Sequence, residues 1–465
     1  MSGAVPSAPA RNSKKGAVRN FLKGNGEETM STQTGAMPAT HFRRGWIYVL
    51  LLALVSINYM DRSALAVVAQ SIRSEFTLSP VQMGYLFSCF FWSYVICLLP
   101  IGVMLDHYST KSITGVGIAI WSLAIAVTAG VWNLATLMTA RLIMGAGEAT
   151  AIPSCGRIVR EWMPASERGV ANVFYSAGSF VGPAVGAVVV AALTSAWGWR
   201  AAFIILGVLG FVWLACSLVW FDRPERVKWL SEDERRKIVS ERSGGTADNA
   251  GVHGKPGVIL ELLKSRSMWG VLIAQAAGVY TLYLLLFWLP SYLQDTKHLT
   301  IMKTGLYTAV PWAIAVPLSI ILGIVSDRLL KRDTLLAGGR RTMVVLCVLL
   351  AAVVVLVPFT DNTSAILLLF ALSLTGVNAA ISLNLALVTD LVHRVSDVGK
   401  AISLTILSGN ICGLLAPIVT GYVVQGLGAY DWAFGIAAIL LVIGAAAIGT
   451  MTRSVILPAA APVAA

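Results

Sequence analysis

The chain has 465 residues, of which 57% are hydrophobic and only 12% are charged, and its formal net charge is +12. Soluble globular domains carry about 25% charged residues, so this composition excludes an ordinary soluble domain and indicates a polytopic helical membrane protein. The basic residues lie mainly in loops beside apolar segments, where they face anionic lipid headgroups, so the positive charge needs no nucleic-acid partner.

Twelve apolar segments of membrane-spanning length follow one another, with a polar break after the sixth. Each is close to the ~20 residues that cross the hydrocarbon core of a bilayer. We therefore predict an all-α membrane protein with twelve transmembrane helices. The predicted spans are 46–68, 82–105, 112–131, 134–157, 169–193, 200–221, 267–293, 303–326, 342–359, 364–389, 399–425 and 431–451.

Charge and composition divide the chain further. No apolar stretch precedes residue 46, so the N-terminal region is predicted to be a disordered cytoplasmic tail and not a cleaved signal peptide. The predicted parts are the tail 1–43, a first six-helix bundle 44–221, a cytoplasmic linker 222–266, a second six-helix bundle 267–453 and a C-terminal tail 454–465.

The loop charges predict the orientation. With both termini cytoplasmic, 29 of the 35 Lys and Arg residues lie on the cytoplasmic side and two lie within the membrane. This asymmetry is the positive-inside pattern, and the opposite orientation would violate it at nearly every loop. The four basic residues on the outside are Arg73, Arg200, Lys297 and Lys303.

The first span contains Asn58-Tyr59-Met60-Asp61-Arg62. A charge near the centre of a spanning helix costs roughly 2.5 to 3.5 kcal/mol on insertion scales, so two in succession indicate a functional site. Adjacent residues project about 100° apart, so Asp61 and Arg62 face different directions, whereas Tyr59 nearly shares a face with Arg62. A structural ion pair that locks helix packing is the alternative interpretation.

A short motif at the end of the second span recurs 221 residues later at the end of the eighth. It consists of a glycine, three residues, an aspartate and a basic residue. The repeat predicts two pseudo-symmetric six-helix bundles, with close helix approach at each glycine. Its residues are Gly102, Asp106 and His107, and then Gly323, Asp327 and Arg328.

The fourth span carries a second charged pair, Arg141 and Glu148. Seven residues apart, they lie on one helix face with roughly 10 Å between them, so they are not expected to touch. Glu148 lies near the middle of its span, as Asp61 does in the first. Two carboxylates and two guanidinium groups at similar depth are the strongest chemical signal in the sequence.

Glycines spaced by four residues in spans five and eleven predict close helix packing. They are Gly178, Gly182 and Gly186 in span five and Gly409, Gly413 and Gly421 in span eleven, where Pro417 also favours bending. The second bundle offers mainly uncharged polar side chains to a ligand. Tyr283, Asn384 and Asn410 are the candidates. The two asparagines are preferred, because a buried amide without a partner is expensive.

The linker contains Ser231 and Glu234, the spacing of a capping box, and a short amphipathic helix is predicted from there to about Arg242. No nucleophile and base pair, phosphate-cradling loop or metal-type spacing occurs, so neither an enzyme nor a cofactor or metal is predicted. Six cysteines in or beside the spans imply no disulfide.

Together these motifs resemble the major facilitator superfamily: two six-span halves, Gly-x3-Asp after span two, Arg-x3-Gly-x-Gly in span four and Gly-Pro in span five. Within it, Asn58-Tyr59-x-Asp61-Arg62, Arg141 with Glu148, and the linker run that begins at Arg223 resemble the anion:cation symporter family. Bacterial members of that family carry sugar acids such as galactonate and glucarate, or aromatic acids such as phthalate.

The resemblance implies a major facilitator fold and roles for particular side chains. It implies proton coupling at Asp61 and Glu148, carboxylate binding at Arg62 and Arg141, a site lining that includes Tyr59 and Tyr94, and conformational roles for the repeated Gly-x3-Asp motifs.

Three positions depart from the pattern of the family. His107 stands where the superfamily commonly has Arg, Ser179 replaces the Gln of sugar-acid members, and Ile406 falls where they place a polar residue, one turn before Asn410. Fewer hydroxyl partners suit a less hydroxylated acid. Ser179 is nevertheless included among the candidate substrate-binding residues.

We therefore predict a secondary active transporter that imports an organic acid anion, either a sugar acid or an aromatic or small carboxylate. Transport is predicted to be proton symport by alternating access, with sodium as the alternative coupling ion, in a monomer in the inner membrane of a bacterium. Two other interpretations stay open: a proton-coupled exporter of a metabolite or drug, and a membrane sensor that binds without transport.

Overall fold

The computed structural model describes residues 40–164, 167–227, 229–246, 258–329, 338–454 and 456. These residues are helical apart from connecting loops and an isolated parallel bridge between Val392 and Ile456. In chain order the elements are α1 (Thr40–Val67), α2 (Ala69–Glu75), α3 (Pro80–His107), α4 (Thr110–Thr128), α5 (Leu134–Glu148), α6 (Ala151–Trp162), α7 (Arg168–Ser176), α8 (Gly178–Trp220), α9 (Glu232–Thr246), α10 (Val258–Lys264), α11 (Arg266–Asp295), α12 (Ile301–Leu329), α13 (Gly339–Ala351), a 3₁₀ segment (Ala352–Phe359), α14 (Thr363–Leu391), α15 (Val395–Leu427) and α16 (Asp431–Met451).

Ten helical stretches in the described part of the chain are long and apolar enough to cross a membrane. One of them, Arg168–Trp220, contains two spans, because the chain turns at Gly198 with φ +82° and ψ 164°, a conformation that L side chains rarely adopt. The fourth predicted span is divided between α5 and α6. The twelve-helix prediction is therefore confirmed, with six spans in α1–α8 and six in α11–α16.

Local sequence sets the helix ends at the membrane boundaries. Ser79 forms a capping box with Gln82 at the start of α3, where Pro80 occupies the first helical turn. Asn133 and Thr136 cap α5 in the same way. These side chains satisfy backbone N–H groups that would otherwise have no partner at the first turn.

The glycines of span five pack α8 closely against α1. A Cβ atom added to Gly182 would lie 2.5 Å from the carbonyl oxygen of Ser56, and one added to Gly178 would lie 2.9 Å from that of Leu52. In the second half, Gly409 and Gly413 similarly face Val279 and Tyr283 of α11. The predicted packing role of these glycines is confirmed, and it holds α1 in a fixed position within the first half.

The two halves contact each other where α3 crosses α15 and where α8 crosses α12. Added Cβ atoms at Gly84 and Gly421 would lie 2.5 and 2.6 Å from the carbonyl oxygens of Pro417 and Pro80. Ser88 Oγ also donates to the Leu414 carbonyl at 2.7 Å. We call this region, formed by residues 67–88 together with 287–295 and 414–430, the closed end.

The opposite end, which we call the open end, carries the repeated Gly-x3-Asp motifs. No heavy atom lies within 4 Å of a Cβ added to Gly102 or Gly323, so the predicted close helix approach at these glycines is absent from this arrangement of the halves. Asp106 is 74% exposed and pairs at 3.4 Å with Arg157 of its own half. Arg328 is exposed, and the side chain of Asp327 lies outside the described part.

Two side chains fix α2 to the first half. Trp199 Nε1 and Arg200 Nη1 each donate to Glu75 Oε2 at 2.8 Å. These bonds, that of Arg200 above all, lower the pKa of the Glu75 carboxyl, which lies outside the spanning segments. Both donors come from α8, so these bonds attach α2 to the first half.

The predicted linker helix is present as α9, which begins one residue after Ser231. Ser231 Oγ accepts the Glu234 N–H at 3.3 Å, as the capping box predicts. The helix continues to Thr246, beyond the end predicted at about Arg242. Trp229 stacks on Trp162 at 5.3 Å and so attaches the start of the linker to the first half.

Parts of the predicted linker and of both predicted tails lie outside the described residues. They are 228 and 247–257 of the linker, 1–39 of the N-terminal tail, and 455 and 457–465 of the C-terminal tail.

The glycine crossing at the closed end gives a first prediction. Valine at position 84 would place its side chain against the Pro417 carbonyl, a backbone atom that cannot rotate away, so Gly84→Val should hold the closed end open. We expect faster maleimide labelling of a cysteine introduced at Phe87, which is 1% exposed.

Gly435→Val is the matched control, because no heavy atom lies within 4 Å of a Cβ at that position. It should leave labelling at position 87 unchanged. Equal labelling in the two variants would show that the crossing at Gly84 does not keep the closed end shut.

Candidate functional site: a buried ion pair between the halves

Two of the predicted charged residues form an ion pair at the crossing of α1 and α5. Arg62 Nε donates to Glu148 Oε2 at 2.7 Å, and the two side chains are 3% and 0% exposed. Glu148 therefore pairs with a residue of another helix and not with Arg141 of its own helix, in agreement with the seven-residue spacing.

Aromatic rings surround the guanidinium of Arg62. Its Cζ atom lies 4.7 Å from the ring centre of Tyr59, 4.9 Å from that of Phe90 and 4.8 Å from that of Tyr94. The faces of these rings stabilise a cation and keep water from it. Tyr59 shares a face with Arg62, as predicted, and Tyr94 approaches from α3.

Asp61 points away from Arg62, into the first half. It is 1% exposed and lies beside the Trp121 indole of α4, within electrostatic range of Arg141 and Glu148. Arg141 is 3% exposed, and its Nη1 is 3.1 Å from Met144 Sδ. The prediction that Asp61 and Arg62 face different surroundings is confirmed.

Several buried polar atoms of this cluster have no hydrogen-bond partner among the described residues. Burying such atoms costs free energy unless a partner is supplied at some stage of the working cycle. With all four side chains ionised, the two positive and two negative charges of the cluster balance. The atoms are Asn58 Nδ2 and Oδ1, Asp61 Oδ1, Arg62 Nη2, Arg141 Nε and Nη2, and Glu148 Oε1.

An aromatic seam closes the site on the side of the closed end. Phe91 of α3 lies 4.6 Å from Tyr283 of α11, and Phe87 lies 5.3 Å from Phe287. Tyr283 also lies within electrostatic range of Arg62. Of the residues predicted in the second half, Tyr283 is thus brought next to the charged cluster.

The other predicted polar residues have separate surroundings. Ser179 Oγ donates to the Ser176 carbonyl of the preceding turn at 2.7 Å. Asn384 Nδ2 donates to Val271 O at 3.1 Å and to Gln275 Oε1 at 3.0 Å, both within the second half. Asn410 is half-buried and makes no side-chain hydrogen bond among the described residues.

Three aromatic residues of the site went unrecognised in the sequence: Phe90, Phe91 and Trp121. Phe90 stands four residues before Tyr94 and so one turn away on the same helix, a spacing that could have indicated a shared face. Phe91 and Trp121 carry no comparable signal, because an aromatic residue in a membrane span usually faces lipid or packing partners. In the described residues no group of three or more His, Cys, Asp or Glu side chains could hold a metal ion.

Two six-helix halves around a central charged site are the architecture of a secondary transporter. The sequence matches the Major Facilitator Superfamily over residues 51–339 and 337–461, and the chain therefore belongs to this superfamily. It is a multi-pass membrane protein and a secondary transporter, not an enzyme.

Curated relatives align with nearly the whole chain. A probable galactarate/D-glucarate transporter of Bacillus subtilis is 30% identical over 425 residues, which are 89% of this chain and 91% of the relative. The D-galactonate transporter of Escherichia coli O6:H1 is 31% identical over 395 residues, or 83% and 90% of the two chains. These relatives confirm the resemblance to sugar-acid carriers.

A solved structure is similar in fold. A bacterial homologue of the human lysosomal transporter Spinster, in an inward-facing and occupied conformation, aligns with a TM-score of 0.69 over 88% of this chain and 97% of that chain. Its sequence is 18% identical, so the likeness shows the major facilitator fold alone.

The surroundings of Asn384 give a second prediction. Asn384→Ala removes the donor to Gln275 and leaves a buried amide oxygen unpaired, which typically costs about 1–3 kcal/mol of stability. We expect a lower melting temperature in detergent with little change in KM for the transported acid.

Asn410→Ala is the comparison, because it removes the same side chain from a half-buried position without a described hydrogen bond. We expect its melting temperature to stay close to that of the unmodified protein. A raised KM and an unchanged melting temperature in Asn384→Ala would instead assign Asn384 to the substrate site.

Proposed function

We propose that this chain imports an organic acid anion by proton symport, through alternating access in a bacterial inner membrane. The observation that carries the proposal is the Arg62–Glu148 pair, which is 2.7 Å long and almost completely buried. Such a pair cannot be opened at either end without leaving an uncompensated charge in a dry site.

A coupled exchange of partners avoids that cost. If Glu148 takes up a proton, Arg62 loses its counterion, and the carboxylate of an arriving acid can replace it with charge-assisted hydrogen bonds. Among the described residues, Arg62 Nη2 has no hydrogen-bond partner, so it is available to such a carboxylate. Because each partner compensates for the other, proton and anion bind together and the net charge of the site stays balanced.

The surrounding residues support this exchange. Tyr59, Tyr94 and Tyr283 provide hydroxyl groups and ring faces next to Arg62, and we assign them to the substrate site. Asp61 and Arg141 form the second charged pair of the cluster. We assign Asp61 to proton coupling and Arg141 to sensing the charge of the occupied site.

The asymmetric contact between the halves supports alternating access. The positive-inside pattern puts the closed end outside and the open end on the cytoplasmic side. Outward opening would bring together the cytoplasmic ends, where Gly102 and Gly323 have free space in this arrangement. We assign Gly102, Asp106, Gly323, Asp327 and Arg328 to that alternative contact.

The names of the relatives direct the search for a substrate towards sugar acids. The engaged hydroxyl of Ser179 and the engaged amide of Asn384 direct it towards acids with fewer hydroxyl groups. Both classes share the carboxylate that Arg62 would bind. A panel of D-galactonate, D-glucarate, phthalate and succinate covers them.

Uptake into proteoliposomes with an imposed inward proton gradient tests the proposal. Gradient-driven accumulation of one labelled acid from the panel would support symport and name the substrate class. Loss of a preloaded compound while protons run inward would instead support the exporter, and binding without flux would support a sensor.

Glu148→Gln gives a third prediction. Glutamine has the shape of a protonated glutamate but cannot release a proton, so anion exchange should persist while gradient-driven accumulation is abolished. The pH dependence of exchange should also weaken, with Asp61 as the remaining proton-coupling carboxyl. Both quantities are measured in the same vesicles, with and without the proton gradient.

Glu75→Gln is the matched control, since Glu75 also pairs with an arginine but lies 38% exposed outside the spans. It should retain accumulation close to that of the unmodified protein. Proton-driven accumulation in Glu148→Gln would remove Glu148 from the coupling role.

Arg62→Lys gives a fourth prediction. Lysine keeps the charge but loses the planar fork and the stacking on three rings, so we expect KM to rise by about tenfold or more, a loss of about 1.4 kcal/mol or more. Arg160→Lys, at an exposed position on α6, should leave KM unchanged. An unchanged KM in Arg62→Lys would exclude bidentate carboxylate binding at this side chain.

A further inference from the structure

Arg73 lines a cavity at the closed end and has no role in the mechanism described so far. The cavity has a volume of about 720 Å³ and is lined by both halves. Its charged and polar lining includes Arg73, Ser74, Gln294, Asp295, His298 and Tyr430. With the orientation proposed above, this cavity faces the outside, where a substrate arrives.

Arg73 is held in the cavity by a carboxylate of the other half. Its Nη1 lies 3.4 Å from Asp295 Oδ2, and the same oxygen accepts the Tyr430 hydroxyl at 2.7 Å. The shorter bond joins two residues of the second half, so Asp295 is held firmly within its own half. Arg73 belongs to α2, which is attached to the first half, and its contact with Asp295 is the longer one.

Two other basic residues on this side are paired within their own half. Arg200 is bound to Glu75 at 2.8 Å, and Lys297 to Asp361 at 3.0 Å. Rocking of the halves would leave both of these pairs intact. The same motion would separate Arg73 from Asp295 and present its side chain, which is already 33% exposed, to the entrance.

The position of Arg73 relative to Arg62 connects the cavity to the central site. In a continuous helix, eleven residues span three turns and about 20°, which would place the two arginines on nearly the same face, roughly 16 Å apart along the axis. The single residue Val68 separates α1 from α2. Gln294 Nε2 donates to the Val67 carbonyl there at 3.3 Å, a further contact between the halves that opening would break.

We propose that Arg73 is a second, transient carboxylate-binding site at the entrance, an inference that rests on the proposed function. In the outward-open arrangement, the carboxylate of the arriving acid takes the place of Asp295 on Arg73. It then moves along α2 and α1 to Arg62. When the halves close, Asp295 returns to Arg73 and prevents the anion from going back.

Two substitutions separate this role from that of a simple gate. Asp295→Asn removes the competing charge but keeps an oxygen for the Tyr430 hydroxyl, so it leaves Arg73 free for the substrate. Arg73→Gln removes the binding group itself. Both variants lose the same contact between the halves, so a gate without anion binding would change KM in the same direction in both.

The test measures proton-driven uptake of whichever labelled acid accumulates from the panel of D-galactonate, D-glucarate, phthalate and succinate. At low ionic strength, we expect KM to fall about two- to fivefold in Asp295→Asn and to rise by a similar factor in Arg73→Gln, the size typical of a partly exposed charge pair. Arg73→Lys should recover part of the affinity. Both shifts should shrink at high salt, because exposed charges are screened.

Lys297→Gln is the control, because it removes one positive charge from the same side of the protein at a residue paired within the second half. It should change KM less than Arg73→Gln does. Shifts in the same direction in Asp295→Asn and Arg73→Gln, or no shift in either, would overturn the entrance site and leave the proposed function intact. Absence of proton-driven uptake in the unmodified protein would overturn the proposed function, and this inference with it.

Discussion

A guanidinium and a carboxylate that have lost their water must neutralise each other, and the rest of this transporter is arranged around that requirement. Removing one member of a buried pair typically costs about 3–5 kcal/mol, so Arg62 and Glu148 can separate only when each acquires a new partner. The rings of Tyr59, Phe90 and Tyr94 enforce the condition, since they occupy the space that solvating water would need. The proposed coupling between proton and anion then follows from electrostatics and needs no separate device.

The same requirement explains why the site belongs mainly to the first half while the second half closes over it. Glycines of α8 hold α1 by backbone contacts, so the two charged residues of α1 have fixed positions. Tyr283 and Phe287 of α11 then supply an apolar cover that can be withdrawn without breaking an ion pair of the central site. A cover of charged residues would have added its own desolvation cost to every turnover.

Sequence reasoning predicted what depends on composition and on spacing along one helix. Composition predicts the spans and the division into halves. Helix geometry predicts the different directions of Asp61 and Arg62 and the separation of Arg141 from Glu148. Sequence reasoning did not predict contacts between distant segments. No local pattern shows that Asn384 donates a hydrogen bond to Gln275 or that the ring of Phe91 contacts that of Tyr283. The close helix approach expected at Gly102 and Gly323 is absent for another reason. Their expected contact depends on which end of the transporter is closed, a property of the conformation and not of the sequence.

The crossings at the closed end have a thermodynamic consequence. At Gly84 and Gly421 the two halves meet through main-chain atoms of Pro417 and Pro80. Main chain already ordered within helices loses no rotamer freedom when such a contact forms, unlike interdigitating leucines or methionines. Forming these glycine crossings therefore costs little side-chain entropy. In the proposed mechanism, a bound acid with its proton, whose interactions amount to a few kcal/mol, decides which way the molecule faces.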